Sequence, residues 1–392
     1  MAALAARLMP VIRRRTWGRL ILPWLVFLLA VWTIPHRWCM RGANRWFDGD
    51  PALQAELARG VERFIRAGVG ASDFHTGDAV FNGEWLFGSY LMAAFGFGQL
   101  ALSQPDRADH HRAAMRLCIE GLLTPAVRAF DRLNWKRDAL EALGSDEDHA
   151  AYLGYLNLLL GFHRLVEPDS PFTELNERIT EHLARRLAAR PIRMLHTYPG
   201  EVYPVDNCAA VASLAMHARV NGGEMPALVR EWIANVRARY IDPKTGLLVQ
   251  ALSVAGEPVD EARGSGTTLG LYFMSFADDA LAREWYAAVR RSLGRTFLGF
   301  GAVREYPEGV RGLGDIDSGP ILFGYGLSAT GFSIAGARMY GDRAYFGRLY
   351  ASAHLAGAPL LRGDRLEFVT GGPLGNAILL AMFTAGPGRA PQ

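Results

Sequence analysis

The chain has 392 residues, and half of them are hydrophobic, so it holds enough apolar material for a large buried core. Its formal net charge is only +3, and without a basic block beyond the N-terminus or a phosphate-binding motif we expect no nucleic-acid partner. The three cysteines, Cys39, Cys118 and Cys208, lie far apart and form no CxxC pair. The sequence therefore predicts no disulfide framework, metal site or cofactor.

The first predicted element is an uncharged, apolar segment at residues 20–35, with Trp17 before it and Trp32 near its end. Arginines precede it, which favours a cytoplasmic N-terminus, and its length approaches the about 20 residues of a membrane span. The stretch IPHRWC that follows lacks the small residues of a signal-peptide cleavage site, although a cleaved signal peptide remains the alternative. We therefore predict a basic cytoplasmic tail (1–19), a single-pass anchor (20–35) in the cytoplasmic membrane, and a catalytic domain in the periplasm or outside.

From residue 51 on, two kinds of helical pattern alternate, six of each. One kind is amphipathic and charged, as in PFTELNERITEHLARRLAAR, and the other is apolar and rich in Gly and Ala, as in NCAAVASLAMHARV. The apolar ones begin near residues 84, 149, 207, 264, 318 and 372, at intervals of roughly 53 to 65 residues. This repeat predicts an all-α (α/α)6 barrel at residues 51–385, between a linker (36–50) and a tail (386–392). A multi-span membrane protein, the rival interpretation, disagrees with the charged helices and the short Gly-rich runs.

The connections between these helices differ in length at the two ends of the predicted barrel. Turns from an inner to an outer helix are short, such as SQPD and VNGGE, whereas most segments from an outer to the next inner helix are long and rich in polar and aromatic residues. Long ordered loops are usually functional. We therefore expect the active face at the N-terminal ends of the inner helices, which we call the mouth.

Carboxylates at these helix starts are the first candidates for chemistry, because unpaired N–H groups there favour negative charge. Asp206 is predicted as the N-cap of the third inner helix, with Asn207 in its first turn. Asp148 or Asp146 takes the matching place in a second segment and Asp317 in a third, with Asp315 two residues before Asp317. Aspartate is also common as a plain N-cap worth about 1 kcal/mol, so a structural role stays open for each.

Tyr203 precedes Pro204, which restricts the backbone and holds the phenol in place. A fixed tyrosine beside carboxylates can bind hydroxyl groups or transfer a proton, although a tyrosine that merely covers the mouth is the alternative. The other mouth segments supply further substrate-binding candidates: Tyr198, Glu201, His75, Glu84, Glu305, Tyr306 and Glu367. His75 with Asp73 and Asp78 resembles a metal trio, but no second histidine cluster accompanies it, and we predict no metal.

Several carboxylates around a concave mouth suit acid–base chemistry on a hydroxylated substrate. In a glycosidase, one acid would protonate the leaving oxygen while another activated water. Aromatic residues such as Phe74, Trp85 and Trp135 are suited to stacking on sugar faces or to lining a pocket for a terpenoid. The residues alone leave both substrate classes open.

Five segments resemble the linalool dehydratase/isomerase family, an (α/α)6-barrel group with extracytoplasmic members. They lie within about residues 150–350, in the family's order and at similar spacing: YLGYLNLLLGFHRLV, YPGEVYPVDNCAAVASLAMHARV, WIANVRARYIDPKTGLL, GSGTTLGLYFMSF and GDIDSGPILFGYGLSATGFSIAGARMYGD. The resemblance implies the same barrel and acid–base chemistry on an alcohol or similar small molecule.

The positions that carry catalytic residues in that family differ here. Tyr198 stands in place of one family cysteine, Asn207 (next to Cys208) in place of the other, and Tyr155 in place of a histidine. Acidic and phenolic groups thus replace the thiols. We expect Asp206 and Asp317 to form the acid/base pair, with Tyr203 and Asn207 positioning the substrate.

Three hypotheses follow from the sequence. The first is a membrane-anchored enzyme of the dehydratase/isomerase-like group, acting on a hydroxylated small molecule. The second is a glycan-active hydrolase or lyase on the same architecture. The third is a non-catalytic barrel that binds a glycan or a membrane partner, for which no close pair of carboxylates is expected at the mouth.

Overall fold

The computed structural model describes residues 2–315 and 318–390, with side chains from residue 21 on. Asp317 lies outside the described residues. Helices dominate the fold, and three short antiparallel hairpins interrupt them. In chain order the helices are α1 (Ala2–Cys39), α2 (Ala43–Asp48), α3 (Pro51–Ala67), α4 (Ala79–Ser103), α5 (Ala108–Leu122), α6 (Ala129–Trp135), α7 (Tyr155–Val166), α8 (Thr173–Ala189), α9 (Pro204–Val220), α10 (Ala227–Arg239), α11 (Gly264–Met274), α12 (Asp279–Ser292), α13 (Leu327–Met339), α14 (Arg343–Gly357) and α15 (Gly372–Thr384).

Six helices form a closed inner ring. Each of α4, α7, α9, α11, α13 and α15 contacts the next in this order, and α15 contacts α4 again. The outer helices α3, α5, α8, α10, α12 and α14 alternate with them along the chain. The predicted all-α (α/α)6 barrel, with six inner and six outer helices, is confirmed.

Close packing of the inner ring depends on its small residues. A Cβ atom on Gly96 of α4 would lie 2.6 Å from Leu380 of α15, and one on Gly161 of α7 would lie 2.8 Å from Met216 of α9. These glycines let neighbouring helices approach more closely than larger side chains would allow, and this explains why the inner segments are rich in Gly.

Aromatic rings fill the barrel axis towards the end that carries the short turns, which we call the closed face. Phe95 stacks on Phe162 with ring centroids 5.7 Å apart, and Phe276 lies 5.5 Å and 5.3 Å from these two rings. Tyr155 contacts Phe273 at 5.0 Å on the mouth side of this cluster. Aromatic pairs at these distances add to the stability that burial supplies, and they leave the space above Tyr155 open to the mouth.

The three hairpins all lie in connections from an outer to an inner helix, at the mouth. The strands are β1 (Gly294–Phe297), β2 (Phe300–Val303), β3 (Ile321–Leu322), β4 (Tyr325–Gly326), β5 (Pro359–Arg362) and β6 (Arg365–Phe368), paired as β1–β2, β3–β4 and β5–β6.

Two helical predictions fail in detail at such connections. The fifth inner helix was expected near residue 318 but begins at Leu327, because Phe323 and Gly324 take positive φ values and turn the chain into the β3–β4 hairpin. The single outer helix expected across residues 107–133, RADHHRAAMRLCIEGLLTPAVRAFDRL, is divided into α5 and α6, separated by a segment that contains Pro125.

The N-terminal apolar segment forms part of one long helix, α1, which lies outside the barrel. Its large apolar side chains are exposed from Ile21 to Trp38, with Trp24 65% and Leu29 63% exposed. Two helical stretches are long and apolar enough to cross a membrane. One begins at Ile21 and is unburied, whereas the other is α4, most of which is buried as an inner barrel helix. An N-terminal apolar helix is thus present.

Candidate active site

A cavity of about 1040 Å³ opens at the mouth. Its walls come from the inner helices and from the long loops before them, and most of its lining side chains are apolar or aromatic. Its polar side chains include two carboxyl–phenol pairs, Asp206 with Tyr155 and Glu84 with Tyr198.

Asp206 lies in the first turn of α9, at the third helical position. Tyr203, not Asp206, occupies the N-cap, because Pro204 starts the helix with its fixed φ. The Oδ1 atom of Asp206 accepts a hydrogen bond of 2.6 Å from the Tyr155 hydroxyl, and Oδ2 accepts one of 2.7 Å from the Thr197 hydroxyl. Burial raises the pKa of Asp206, and these two hydrogen bonds oppose that rise only in part. A carboxyl group with a raised pKa that faces a cavity is suited to donating a proton.

Glu84 projects from α4 and forms the second pair. The Tyr198 hydroxyl donates a hydrogen bond to Glu84 Oε1. Burial raises the pKa of the Tyr198 phenol well above its ordinary value, and the neighbouring charges of Glu84 and Asp206 raise it further. Tyr198 therefore stays neutral at physiological pH and keeps its proton for Glu84.

Polar residues nearer the solvent line the outer part of the cavity. Tyr203 donates a hydrogen bond of 3.1 Å to Glu201 Oε2, and burial raises the pKa of this phenol. Asp315 is exposed and forms an ion pair with the buried guanidinium of Arg263. His75 is also exposed, at the outer edge of the cavity. These four candidates lie on one cavity with Asp206 and Glu84.

Asp148 and Asn207 do not line the cavity. Asp148 is fully buried and accepts from Arg186 at 2.7 Å, from Arg190 at 2.8 Å and from the backbone N–H of His196 at 2.9 Å. The residue at the helix start is His149, so Asp148 is not the predicted cap. The side-chain amide of Asn207 bonds both backbone groups of Leu195, at 2.7 and 3.0 Å, and holds the preceding loop against α9.

Tyr306 and Glu367 also lie off the cavity. The Tyr306 hydroxyl accepts a hydrogen bond of 3.1 Å from the backbone N–H of Gly314. Glu367 forms an ion pair of 2.9 Å with Arg63 of α3 and thereby joins the β5–β6 hairpin to the outer ring. Tyr306 thus joins two parts of one mouth segment, whereas Glu367 connects a mouth hairpin to the barrel.

Three residues around Asp206 carry roles that the sequence did not suggest. Tyr155 and Thr197 supply its two hydrogen bonds, and Trp135 donates a hydrogen bond of 3.2 Å to the Thr197 carbonyl. Trp135 itself stacks on His149 rather than lining the cavity. The substitution of a family histidine by Tyr155 was the one signal in the sequence that pointed to this group.

Behind the cavity wall, Glu305 is fully buried and accepts a hydrogen bond from the Ser265 hydroxyl. Burial raises the pKa of this carboxyl group. Its Oε2 atom has no hydrogen-bond partner among the described residues and faces Gly326, where any Cβ atom would clash with it. Within residues 2–315 and 318–390, no three His, Cys, Asp or Glu side chains are placed to hold a metal ion.

No protein-family model matches the chain, and no curated protein matches it in sequence. Solved structures do match in fold. A glycoside hydrolase family 76 mannosidase of Bacteroides thetaiotaomicron VPI-5482 has a TM-score of 0.51 and 10% identity, covering 84% of this chain and 97% of that one. At this identity the likeness shows the fold, an α/α barrel.

Two further structures match less closely. A family 76 α-mannanase of Bacteroides thetaiotaomicron has a TM-score of 0.46 at 10% identity, covering 76% of this chain and 85% of that one. Dfg5 of Chaetomium thermophilum in complex with glucosamine has a TM-score of 0.44 at 13% identity, covering 78% and 80%. The mannosidase with the TM-score of 0.51 supports the α/α barrel that the linalool dehydratase/isomerase resemblance implied, and it gives no support for the activity of that family.

Proposed function

We propose that the protein is a glycoside hydrolase, with Asp206 as the acid and Glu84 as the second carboxyl group. The observation that carries this proposal is the pair of carboxyl groups on one cavity, each of which accepts a hydrogen bond from a neutral hydroxyl group. Glycoside hydrolysis requires two such groups, one that protonates the leaving oxygen and one that attacks or activates water.

The two groups differ in the way the reaction requires. Asp206 has a raised pKa, so it can hold a proton and deliver it to the glycosidic oxygen as the C–O bond breaks. The Tyr198 hydroxyl donates a hydrogen bond to Glu84 Oε1, which fixes the position of this second carboxyl group on the cavity. Glu84 then acts on the anomeric carbon, directly or through a water molecule from which it removes a proton.

The walls of the cavity suit a saccharide. Phe74 and Trp85, in T-shaped contact at 6.1 Å, contribute aromatic surface on which a sugar ring can stack. The fold shared with a mannosidase supports the same substrate class and makes mannosides the first compounds to test.

Dehydration or isomerisation of an apolar alcohol, the chemistry of the linalool dehydratase/isomerase group, is the second candidate. The mostly apolar lining of the cavity favours it. Asp206 would then protonate the leaving hydroxyl group, and Glu84 would remove a proton from the neighbouring carbon.

Thermal shift of the full chain in nanodiscs, combined with a hydrolysis assay, tests both candidates. Mannosides, other oligosaccharides and terpenoid alcohols form the panel, and a ligand at a hundredfold its Kd should add about 2.7 kcal/mol of stability. We expect a saccharide to stabilise both wild type and Asp206→Asn, and only wild type to release reducing sugar. Stabilisation by an alcohol with loss of water would select the second candidate, and saccharide binding without turnover would indicate a non-catalytic binding barrel.

Asp317→Asn belongs in the same assay, since the sequence pairs Asp317 with Asp206. Retained activity in Asp317→Asn and loss in Glu84→Gln would support Glu84 as the partner. The reverse result would restore the pair expected from the sequence.

We also propose that α1 anchors the barrel in the cytoplasmic membrane with the cavity outside the cytoplasm. The exposed apolar surface of α1 supports insertion, and the arginines before residue 20 support a cytoplasmic N-terminus. Retention in the membrane after alkaline extraction, with the barrel cleaved by protease added to spheroplasts, is the expected result.

A further inference from the structure

The direction in which α1 leaves the barrel follows from its contacts with α14. Asp48 pairs with Arg343 at the first residue of α14, and Met40 packs on Gly347 one turn later. Cys39 lies close enough to Tyr350 to influence its ionisation. As residue numbers fall from 48 to 39, the contacts thus advance along α14 towards its C-terminus. That end of every outer helix lies at the mouth, so α1 runs antiparallel to α14 and leaves the barrel on the mouth side.

Helix length then sets how far α1 extends beyond the mouth. From Tyr350 to the end of α14 at Gly357 the rise is about 10 Å, whereas from Cys39 back to Ile21 it is about 27 Å. Most of the exposed apolar stretch of α1 therefore lies past the end of α14. If that stretch spans a bilayer, the lipid surface lies directly over the mouth.

The hairpins on this side of the mouth carry exposed apolar side chains. Phe323 is 96% exposed, Phe297 is 69% exposed and Leu361 is 54% exposed, one in each hairpin. The hairpins are neighbours of α1: β2 packs against α14 and β4, and β5 follows α14 directly. Leu355, in the last turn of α14, adds to this surface at 59% exposed. We call Phe297, Phe323, Leu355 and Leu361 the apolar rim.

The turn of the β3–β4 hairpin gives a second indication that the rim has a partner. Phe323 and Gly324 both have positive φ, at 53° and 84°, which is the pattern of a type I′ turn. Asn or Asp is favoured at the first of these positions, and a bulky side chain there is an outlier. Among the described residues, no contact within the barrel stabilises the phenylalanine in this conformation, because Phe323 is almost wholly exposed. Contact with an apolar phase outside the protein would stabilise an exposed phenylalanine at this position.

The closed face shows the opposite surface. Its turns are short and polar, and among the described residues Leu102, at 36%, is the one large apolar side chain there that is exposed. If both ends of the barrel faced water, exposed apolar side chains would not be expected to concentrate at one of them. The contrast points to a lipid surface at the mouth.

We propose that the apolar rim docks on the bilayer from which α1 emerges, so that the cavity opens towards the lipid surface. Aromatic and aliphatic side chains at such a surface bind by burying apolar area in the interface. Where the cavity acts on glycans, an extension that rests on the function proposed above, its substrates are glycans held at the membrane, such as saccharides linked to a lipid.

Depth-dependent fluorescence quenching tests the docking without any substrate. The full chain is placed in nanodiscs of phosphatidylcholine and phosphatidylglycerol that contain nitroxide-labelled lipid. Single cysteines at the rim, Phe323→Cys and Leu361→Cys, and one at the closed face, Glu224→Cys, are labelled with the same fluorophore. The native cysteines are buried, and unmodified protein serves as the labelling control.

We expect quenching at both rim positions to exceed that at Glu224→Cys by at least about threefold. Phe323→Asn is the matched variant, because Asn suits the type I′ turn and should preserve folding while it removes the apolar contact. In that background, quenching at Leu361→Cys should fall while the Tm stays the same or rises. Equal quenching at rim and closed face would overturn the proposal.

An activity assay separates this inference from the proposed function. Phe323→Asn should lose turnover of a lipid-linked saccharide at least about fivefold while it hydrolyses a soluble oligosaccharide as wild type does. Rim quenching without hydrolysis of any saccharide would keep the docking surface and reject the glycosidase. Hydrolysis of a saccharide without rim quenching would keep the glycosidase and reject the docking surface.

Discussion

Asp206 and Asp148 are two aspartates near the starts of neighbouring inner helices, yet their surroundings are opposite. Asp206 faces the cavity and accepts hydrogen bonds from two neutral hydroxyls, Tyr155 and Thr197. Asp148 is enclosed by the guanidinium groups of Arg186 and Arg190 and has no contact with the cavity. Whether a carboxyl group can exchange a proton with a substrate therefore depends on the groups that contact it, rather than on its place on a helix.

Removal of the Asp206 proton is expected to have the largest effect on activity. Asp206→Asn keeps the size of the side chain and one acceptor oxygen, and its amide nitrogen can donate to the second hydroxyl once that hydroxyl has turned, but an amide cannot act as a general acid. We expect kcat/KM for the saccharide identified by the panel to fall by about 10²- to 10⁴-fold, with little change in Tm. Activity within about threefold of wild type would exclude Asp206 as the acid.

Asp148→Asn should lower the stability and leave the activity unchanged. The substitution leaves the buried guanidinium of Arg186 and that of Arg190 without their shared anion, and breaking a buried ion pair costs about 3–5 kcal/mol. We expect a loss of about 3 kcal/mol, since Arg186 keeps a second contact with Asp146 at 2.8 Å. Urea unfolding measures this loss, and the activity per folded molecule should remain that of wild type. A catalytic loss without a stability loss would place Asp148 in the site.

Tyr155 and Tyr203 both line the cavity and allow a matched pair of substitutions. Tyr155→Phe removes a hydrogen bond to a carboxyl group, worth about 1.5–3 kcal/mol when that group is charged, so we expect activity to fall at least about tenfold. Tyr203→Phe is the matched control, because its hydroxyl contacts Glu201 near the solvent. We expect less than about a threefold change there. Equal effects in the two variants would mean that Tyr155 has no particular link to the acid.

The barrel could be predicted from the sequence because it depends on local periodicity. Charged and uncharged helical patterns alternate over the whole chain, and each pattern reports directly whether a helix is outer or inner. The hairpin at residues 321–326 was missed for the same reason: an apolar, Gly-rich stretch fits a buried helix until two consecutive positive φ values turn it.

The site could be predicted only in part, because partners come from distant parts of the chain. Asp206 and Glu84 were both recognised as mouth residues, but nothing in the local sequence shows that Asp206 meets Tyr155, 51 residues earlier. The pairing of Asp148 with Arg186, 38 residues later, is equally invisible. One proline also shifts the helix start, so that Asp206 lies at the third position of the first turn of α9 rather than at its cap.

The pH dependence of stability is the smallest effect and tests the cause of the proposed acidity. Burial raises the pKa of Asp206 above the value of about 3.9 for an unfolded chain. Its contribution to the free energy of unfolding is therefore fully present below pH of about 3.9 and is lost as the pH rises through the folded pKa. Asparagine does not titrate, so between pH 4 and pH 7 the stability of Asp206→Asn should rise relative to wild type.

Urea unfolding at several pH values measures this difference, and Tyr155→Phe supplies an internal check. Loss of the Tyr155 hydrogen bond removes a contact that favours the carboxylate, so the pKa of Asp206 should rise further. Wild type should then lose less stability than Tyr155→Phe as the pH increases. A stability difference between wild type and Asp206→Asn that does not change with pH would mean that burial does not control this carboxyl group, and Asp206 would then resemble Asp148 more than its partners suggest.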